Sequence, residues 1–125
     1  GLSAGELGLS YLLPRSIGAS RAAEIMLTGR DVSAAEAERI GLVSQEVEPD
    51  TLIAHCIEIA QRINSLSRPG IELTKRMLRS SLDAASFEAH MDNEGTAQLY
   101  VRLTTSNFEE AITARKEKRP PTFRD

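Results

Sequence analysis

The sequence predicts a mostly α-helical chain with one isolated β-strand, and three features of its 125 residues support this. Apolar side chains recur every three or four residues over most of the chain, as one face of a helix requires. Serine caps and glycine or proline stops divide these stretches. Only residues 42–47 alternate in the weaker pattern of a strand. Because a lone strand needs a partner and an apolar helix face needs a surface to cover, we expect further polypeptide to pack against this chain.

The first helices can be placed from local signals. The glycine-punctuated first 17 residues are typical of a loop, and they look like the interior of a longer protein. A helix over 18–29 follows, with Ser20 as its N-cap and Gly29 at its C-cap. A capping box of Ser33 and Glu36 then begins a short helix.

The rest of the chain is predicted to be helical between short connections. The predicted helices are 51–65 behind Asp50, 69–82 behind Ser67, 86–104, and a last one from the capping box of Ser106 and Glu109 to Pro120. The helix over 86–104 carries large apolar side chains on one face: Phe87, Met91, Leu99 and Leu103. We expect these four residues, here called the apolar stripe, to be core or a subunit interface.

Composition excludes several classes of protein. An apolar fraction of 41% suits a globular chain, and a net charge of −3 argues against nucleic-acid binding, which needs a basic surface. The single cysteine, Cys56, excludes a disulfide framework. His55 and His90 have no second ligand at a metal-binding spacing, so no metal is expected. Since no apolar stretch reaches the roughly 18 residues of a membrane span and no leader-like segment is present, we expect a cytoplasmic location.

Three runs of residues carry a resemblance to a known family. They are GASRAAEIMLTGR at 18–30, SAAEA at 33–37 with GLV at 41–43, and EKRPPTF at 117–123. Together they resemble the C-terminal half of an enoyl-CoA hydratase/isomerase, a member of the crotonase family. The resemblance implies the α/β crotonase fold, a spiral of ββα turns, of which this chain is the mostly α-helical C-terminal part. Residues 1–48 would end the spiral core, and 49–125 would form a helical oligomerisation region.

The resemblance also implies a function in fatty acid metabolism. The intact enzyme would hydrate or isomerise the double bond of an enoyl-CoA thioester through an enolate, and it would form a trimer or hexamer. It would need no cofactor, because CoA arrives with the substrate. The backbone amides that hold the enolate would lie in the missing N-terminal half, so we expect the 125 residues alone to be inactive. The alternatives are a truncated, inactive relative that acts only in oligomerisation, and a helical interaction module unrelated to CoA.

Glu6 is the candidate catalytic residue. Some isomerases of this family place an acidic residue near this point, although hydratases usually have a run resembling PGAGG there. Glu6 has leucines as neighbours in the sequence, and burial among them would raise the pKa of its carboxyl group toward that of a proton shuttle. The alternative is an acidic residue in the first turn of a short helix, where the helix dipole stabilises it.

Lys118 is the candidate CoA-binding residue. It belongs to a basic run that also holds Arg115, Lys116 and Arg119. By the resemblance, a lysine at the position of Lys118 reaches the CoA nucleotide, while Arg115 stands where many members carry an aromatic residue. The alternative is that these cations only stabilise the C-terminal end of a helix.

Overall fold

The computed structural model describes residues 2–124, and within that range the chain is helical, with no strand. The elements are α1 (Leu9–Ile17), α2 (Ala19–Thr28), α3 (Ala34–Arg39), α4 (Leu52–Asn64), α5 (Arg68–Ser80), a 3₁₀ turn (Ser81–Asp83), α6 (Phe87–Thr104) and α7 (Asn107–Glu117). They form two compact units, the first ending at Leu52 and the second beginning at Ile53. None of these helices is long and apolar enough to cross a membrane.

The first unit is built on the packing of α1 against α2. Its buried side chains are aliphatic: Leu13, Ile17, Ala22 and Ile40. Gly18 connects the two helices with φ 87° and ψ 151°, a conformation that is essentially restricted to glycine. The backbone N–H of Gly18 donates to the carbonyl of Pro14 and so closes α1. Ala22 is 1% exposed, which allows α2 to lie close to α1.

An ion-pair cluster joins the end of α2 to the start of α3. Arg30 donates from Nε to Glu24 at 2.7 Å and from Nη2 to Glu36 at 2.8 Å. Hydrogen bonds from the Arg30 guanidinium lower the pKa of both carboxyl groups, and these carboxylates in turn raise the pKa of Arg30. Ser33 Oγ accepts from the Glu36 backbone N–H at 3.2 Å, so the predicted N-cap is confirmed. The Glu36 carboxylate binds Arg30 rather than reaching back to the cap.

In the second unit, α5, α6 and α7 pack together. Asn107, at the start of α7, is 4% exposed, and its Nδ2 donates to Ser67 Oγ at 2.9 Å. Ser67 is also the N-cap of α5, so one hydroxyl ties the beginnings of two helices together. Ala114 on α7 is 1% exposed and is the other buried residue of this helix.

Several sequence-based predictions are wrong in detail. Residues 42–44 form bends and 45–47 have no regular secondary structure, so the predicted strand is absent, because within residues 2–124 no other segment offers a strand to pair with. Gly18, not Ser20, is the N-cap of α2, and the loop predicted before it contains α1. At α7 the Ser106 side chain makes no cap bond, and Thr105 Oγ1 accepts from the Asn107 N–H at 3.2 Å instead.

The apolar stripe on α6 is not part of the core of the described chain. Phe87 is 74% exposed and Leu103 is 79% exposed, and Met91 and Leu99 are also exposed. Beside α6 a groove of about 990 Å³ runs along α5 and α7, with Met77, Met91, Phe108 and Phe123 among its lining residues. The second unit therefore presents a large apolar surface of the kind that marks an interaction site.

Candidate functional site

Glu6 lies in an exposed turn that leads into α1. Its backbone carbonyl accepts a hydrogen bond from the Leu9 N–H at 2.8 Å. Leu7 adopts a left-handed conformation with φ 52°, which is uncommon for a residue other than glycine, and Gly8 follows with φ 81°. Glu6 is therefore followed by two successive left-handed residues, which form the turn into α1.

Neither interpretation of Glu6 made from the sequence matches its surroundings. Glu6 and the neighbouring leucines are exposed, so the burial expected around its carboxylate is not present in residues 2–124. Nor is Glu6 in the first turn of a helix, because α1 begins at Leu9 and has no acidic residue in its first turn. Within the described residues the Glu6 carboxylate has no ion-pair partner, so it is available to a group outside them.

Lys118 lies where α7 ends. It adopts the left-handed conformation, with φ 53° and ψ 39°, that often terminates a helix. Its N–H donates to the carbonyl of Arg115 at 3.3 Å, and the next N–H, of Arg119, donates to that of Ala114 at 3.0 Å. The Lys118 side chain is exposed, and no carboxylate in residues 2–124 pairs with it.

A cluster of hydrogen bonds centred on Glu110 holds the residues that follow Lys118. Arg119 Nη1 donates to Glu110 Oε1 at 2.6 Å, and Nη2 donates to Oε2 at 3.1 Å. The Thr122 backbone N–H donates to the same Oε1 at 2.7 Å. Arg119 Nε also donates to Glu117 at 2.6 Å. We call Glu110, Glu117, Arg119 and Thr122 the C-terminal clasp.

The electrostatics of the C-terminal clasp follow from this geometry. Hydrogen bonds from Arg119, and then the N–H of Thr122, lower the pKa of Glu110 to about 2. The two carboxylates raise the pKa of Arg119. Because Arg119 is neutralised, the cations of the basic run that remain without a carboxylate partner in residues 2–124 are Arg115, Lys116 and Lys118. Local spacing does not reveal the pairing of Glu110 with Arg119, because Glu110 lies nine residues before Arg119, beyond the spacing of pairs on one helix face.

The C-terminal clasp predicts a pH dependence of stability. A carboxyl group whose pKa falls from 4.5 to about 2 on folding stabilises the fold above its unfolded pKa. That stabilisation is lost as the pH falls from 4.5 through 2. In Glu110→Gln we therefore expect a smaller loss of unfolding free energy over this interval than in the wild type, measured by urea unfolding at each pH. Glu24 and Glu36 contribute equally to the loss of unfolding free energy in the two proteins. An equal total loss in the wild type and in Glu110→Gln would therefore contradict the lowered pKa of Glu110.

Glu6 belongs to the first unit and Lys118 to the second. The described residues contain no group of three or more His, Cys, Asp or Glu side chains that could hold a metal ion. His90 Nε2 lies 3.4 Å from Glu94 Oε1, a single contact on α6.

Comparison with known proteins gives these residues a family context. The whole chain, residues 1–125, matches the sequence model of the enoyl-CoA hydratase/isomerase family. The probable enoyl-CoA hydratase EchA12 of Mycobacterium tuberculosis is 68% identical over 125 residues, which are 100% of this chain and 44% of that protein.

Solved structures agree. A probable enoyl-CoA hydratase/isomerase from Mycobacterium abscessus is 68% identical and has a TM-score of 0.95 over 99% of this chain and 47% of that one. A monofunctional enoyl-CoA isomerase from Mycobacterium smegmatis is 72% identical and has a TM-score of 0.68 over 73% of this chain and 44% of that one.

The chain thus spans less than half the length of EchA12 and of the two solved relatives. Its helices form part of the crotonase fold, as the resemblance in the sequence implied. Since the match extends over every residue of the chain, this polypeptide belongs to the enoyl-CoA hydratase/isomerase family.

Proposed function

We propose that this chain is part of an enzyme that hydrates or isomerises the double bond of enoyl-CoA thioesters through an enolate. The observation that carries the proposal is the match to the family over residues 1–125. Its similarity both to a probable hydratase and to an enoyl-CoA isomerase supports a chemistry that the two reactions share. Both pass through an enolate of the thioester, which backbone N–H groups stabilise as negative charge develops on the carbonyl oxygen.

In this proposal Glu6 transfers the proton. For isomerisation its carboxylate removes a proton from C2 or C4 of the acyl chain, and the resulting carboxylic acid returns a proton to the other carbon. For hydration the oxygen of water adds to C3 while one O–H bond of that water breaks, and the proton released is balanced by the one delivered to C2. The exposed position of Glu6, without an ion-pair partner in residues 2–124, supports a role toward a group that lies outside them. The proposal requires no metal or further cofactor.

Lys118 is proposed to contact the phosphates of CoA. Its exposed ammonium group at the end of α7 is without a carboxylate partner among the described residues, so its charge is available to an anion. A lysine binds phosphate as a point charge, which suits a flexible nucleotide at a protein surface.

We further propose that the protein acts in the cytoplasm as a homo-oligomer, a trimer or hexamer. The exposed apolar stripe of α6 supports an oligomer, because such a surface is rarely left in water. The exposed, unpaired Cys56 supports a reducing compartment. The same stripe favours the second candidate function, a catalytically inactive relative that acts only in oligomerisation.

An assay with crotonyl-CoA separates these two functions. We expect the full-length protein to consume the enoyl thioester, followed by its loss of ultraviolet absorbance, or to interconvert its double-bond isomers, followed by chromatography. The 125 residues alone should show no turnover above their Glu6→Gln variant, because the proposed enolate-binding amides lie outside them. Turnover by the 125 residues well above that control would contradict the proposal that the enolate-binding amides lie outside them. If the full-length protein oligomerises but shows neither activity, the enzymatic function is excluded. The second candidate, a relative that acts only in oligomerisation, is then favoured.

A further inference from the structure

We infer that Glu110 is a positioning residue for Lys118, and that the C-terminal clasp presents the lysine ammonium group to the phosphates of CoA. The inference rests on the proposed function, because it takes the Lys118–phosphate contact as given. It adds a residue that does not touch the ligand and whose role no local sequence pattern indicates.

The backbone of Lys118 has an uncommon conformation. Its φ of 53° lies in the left-handed region, which side chains with a Cβ seldom adopt. Such a conformation persists when the surrounding structure holds it in place. The bonds from the N–H groups of Lys118 and Arg119 back to α7 hold the turn on one side only.

The Glu110 carboxylate anchors the segment on the other side of the turn. Glu110 precedes Lys118 by eight residues, about 12 Å along a helix axis, yet it binds residues that follow Lys118. Arg119 reaches it through both terminal nitrogens, and the Thr122 N–H reaches the same carboxylate. The chain therefore turns back along α7 after Lys118, and Glu110 fixes the returning segment.

Arg119 and Lys118 differ in whether a carboxylate pairs with their positive charge. The two carboxylates of Glu110 and Glu117 outnumber the single guanidinium of Arg119, so the clasp has a formal net negative charge and supplies no positive charge of its own. Lys118, between Glu117 and Arg119 in the chain, has no carboxylate partner among residues 2–124. The clasp thus separates a structural cation, Arg119, from a cation that is available for binding.

Positioning and simple electrostatics predict opposite signs for one substitution. Glu110→Gln removes a negative charge near the proposed phosphate site, so electrostatics alone would tighten the binding of an anion. If the clasp positions Lys118, the substitution releases the turn and weakens binding instead. Glu109→Gln is the matched control, because Glu109 is the neighbouring carboxylate on α7 and pairs with Arg102, outside the clasp.

The test uses the full-length protein, with coenzyme A and pantetheine, which lacks the nucleotide phosphates, as calorimetric probes. We expect Lys118→Ala to raise the Kd for coenzyme A about five- to tenfold, and Glu110→Gln about two- to fivefold. Glu109→Gln should not raise it. Pantetheine binding should stay unchanged in all three, and Glu109→Gln should also retain the wild-type kcat for crotonyl-CoA. In the Lys118→Ala background, Glu110→Gln should have no further effect, because the residue it positions is gone.

These measurements separate a failure of the positioning role of Glu110 from a failure of the proposed contact between Lys118 and the CoA phosphates. If Lys118→Ala leaves the Kd for coenzyme A unchanged, the proposed phosphate contact is wrong. If Lys118→Ala weakens binding but Glu110→Gln does not, or weakens pantetheine binding equally, only the positioning role is wrong. Should Glu110→Gln fail to fold, Arg119→Lys keeps the charge but loses the planar fork that binds Glu110 through two nitrogens. It should then also raise the Kd for coenzyme A, and an unchanged Kd would overturn the inference.

Discussion

Replacing Glu6 with glutamine in the full-length protein is expected to lower the kcat for enoyl-CoA about a hundred- to ten-thousand-fold. Glutamine keeps the size and polarity of the side chain but cannot accept or return a proton at neutral pH. Glu6 lies in an exposed turn, and the hydrogen bond that it makes within residues 2–124 uses its backbone carbonyl rather than its carboxylate. The substitution should therefore leave stability almost unchanged while removing the proposed proton transfer.

Steady-state kinetics with crotonyl-CoA and its double-bond isomer would measure this effect. Glu46→Gln is the matched control: Glu46 is also an exposed acidic residue in the first unit, and its hydrogen bond to Glu38 is made by its backbone N–H rather than by its carboxylate. We expect the control to retain wild-type kcat. A kcat for Glu6→Gln within a few-fold of the wild type would remove Glu6 from the catalytic group and would leave the family assignment intact.

Truncating Ile17 to alanine is expected to lower the free energy of unfolding of the first unit by about 2–5 kcal/mol. Ile17 is 4% exposed and packs with Leu13, Ala22 and Ile40. Because the buried cluster is small, the cavity left by Ile17→Ala has few neighbours that could fill it. Urea unfolding of the chain, followed by circular dichroism, would give the difference.

The control for this prediction is Leu27→Ala on α2. Leu27 is 87% exposed, so its truncation removes little buried surface and should change the unfolding free energy by less than about 0.5 kcal/mol. Similar destabilisation in Leu27→Ala and Ile17→Ala would show that Leu27 is covered in solution, and that the buried cluster is larger than the one described.

The helices of the second unit illustrate what could be predicted locally. The predicted helices over 51–65 and 86–104 agree with α4 and α6 to within one residue at each end. Helix formation depends on contacts between residues three or four apart, which the order of residues already specifies. Helix α1 was missed because Gly5 and Gly8 precede it and indicated a loop, whereas the nine residues after them form the helix.

The candidate site shows the opposite case. The family resemblance singled out Glu6 and Lys118, but neither the exposure of Glu6 nor the role of Glu110 could be inferred from spacing. The carboxylate of Glu110 meets Arg119 nine residues away, and Asn107 meets Ser67 forty residues away. These contacts depend on how the chain reverses direction, which no single periodicity describes.

By itself, then, the sequence determined the helical character of the chain, the positions of most of its helices and its family. The tertiary structure decided which surfaces are covered: Ile17 is buried, while the apolar stripe of α6 remains exposed. It also decided that residues 42–47 form bends and irregular chain, since a strand depends on a partner. The physical reason is range: helix formation and capping act within about four residues, whereas burial and the C-terminal clasp require residues that only the folded chain brings together.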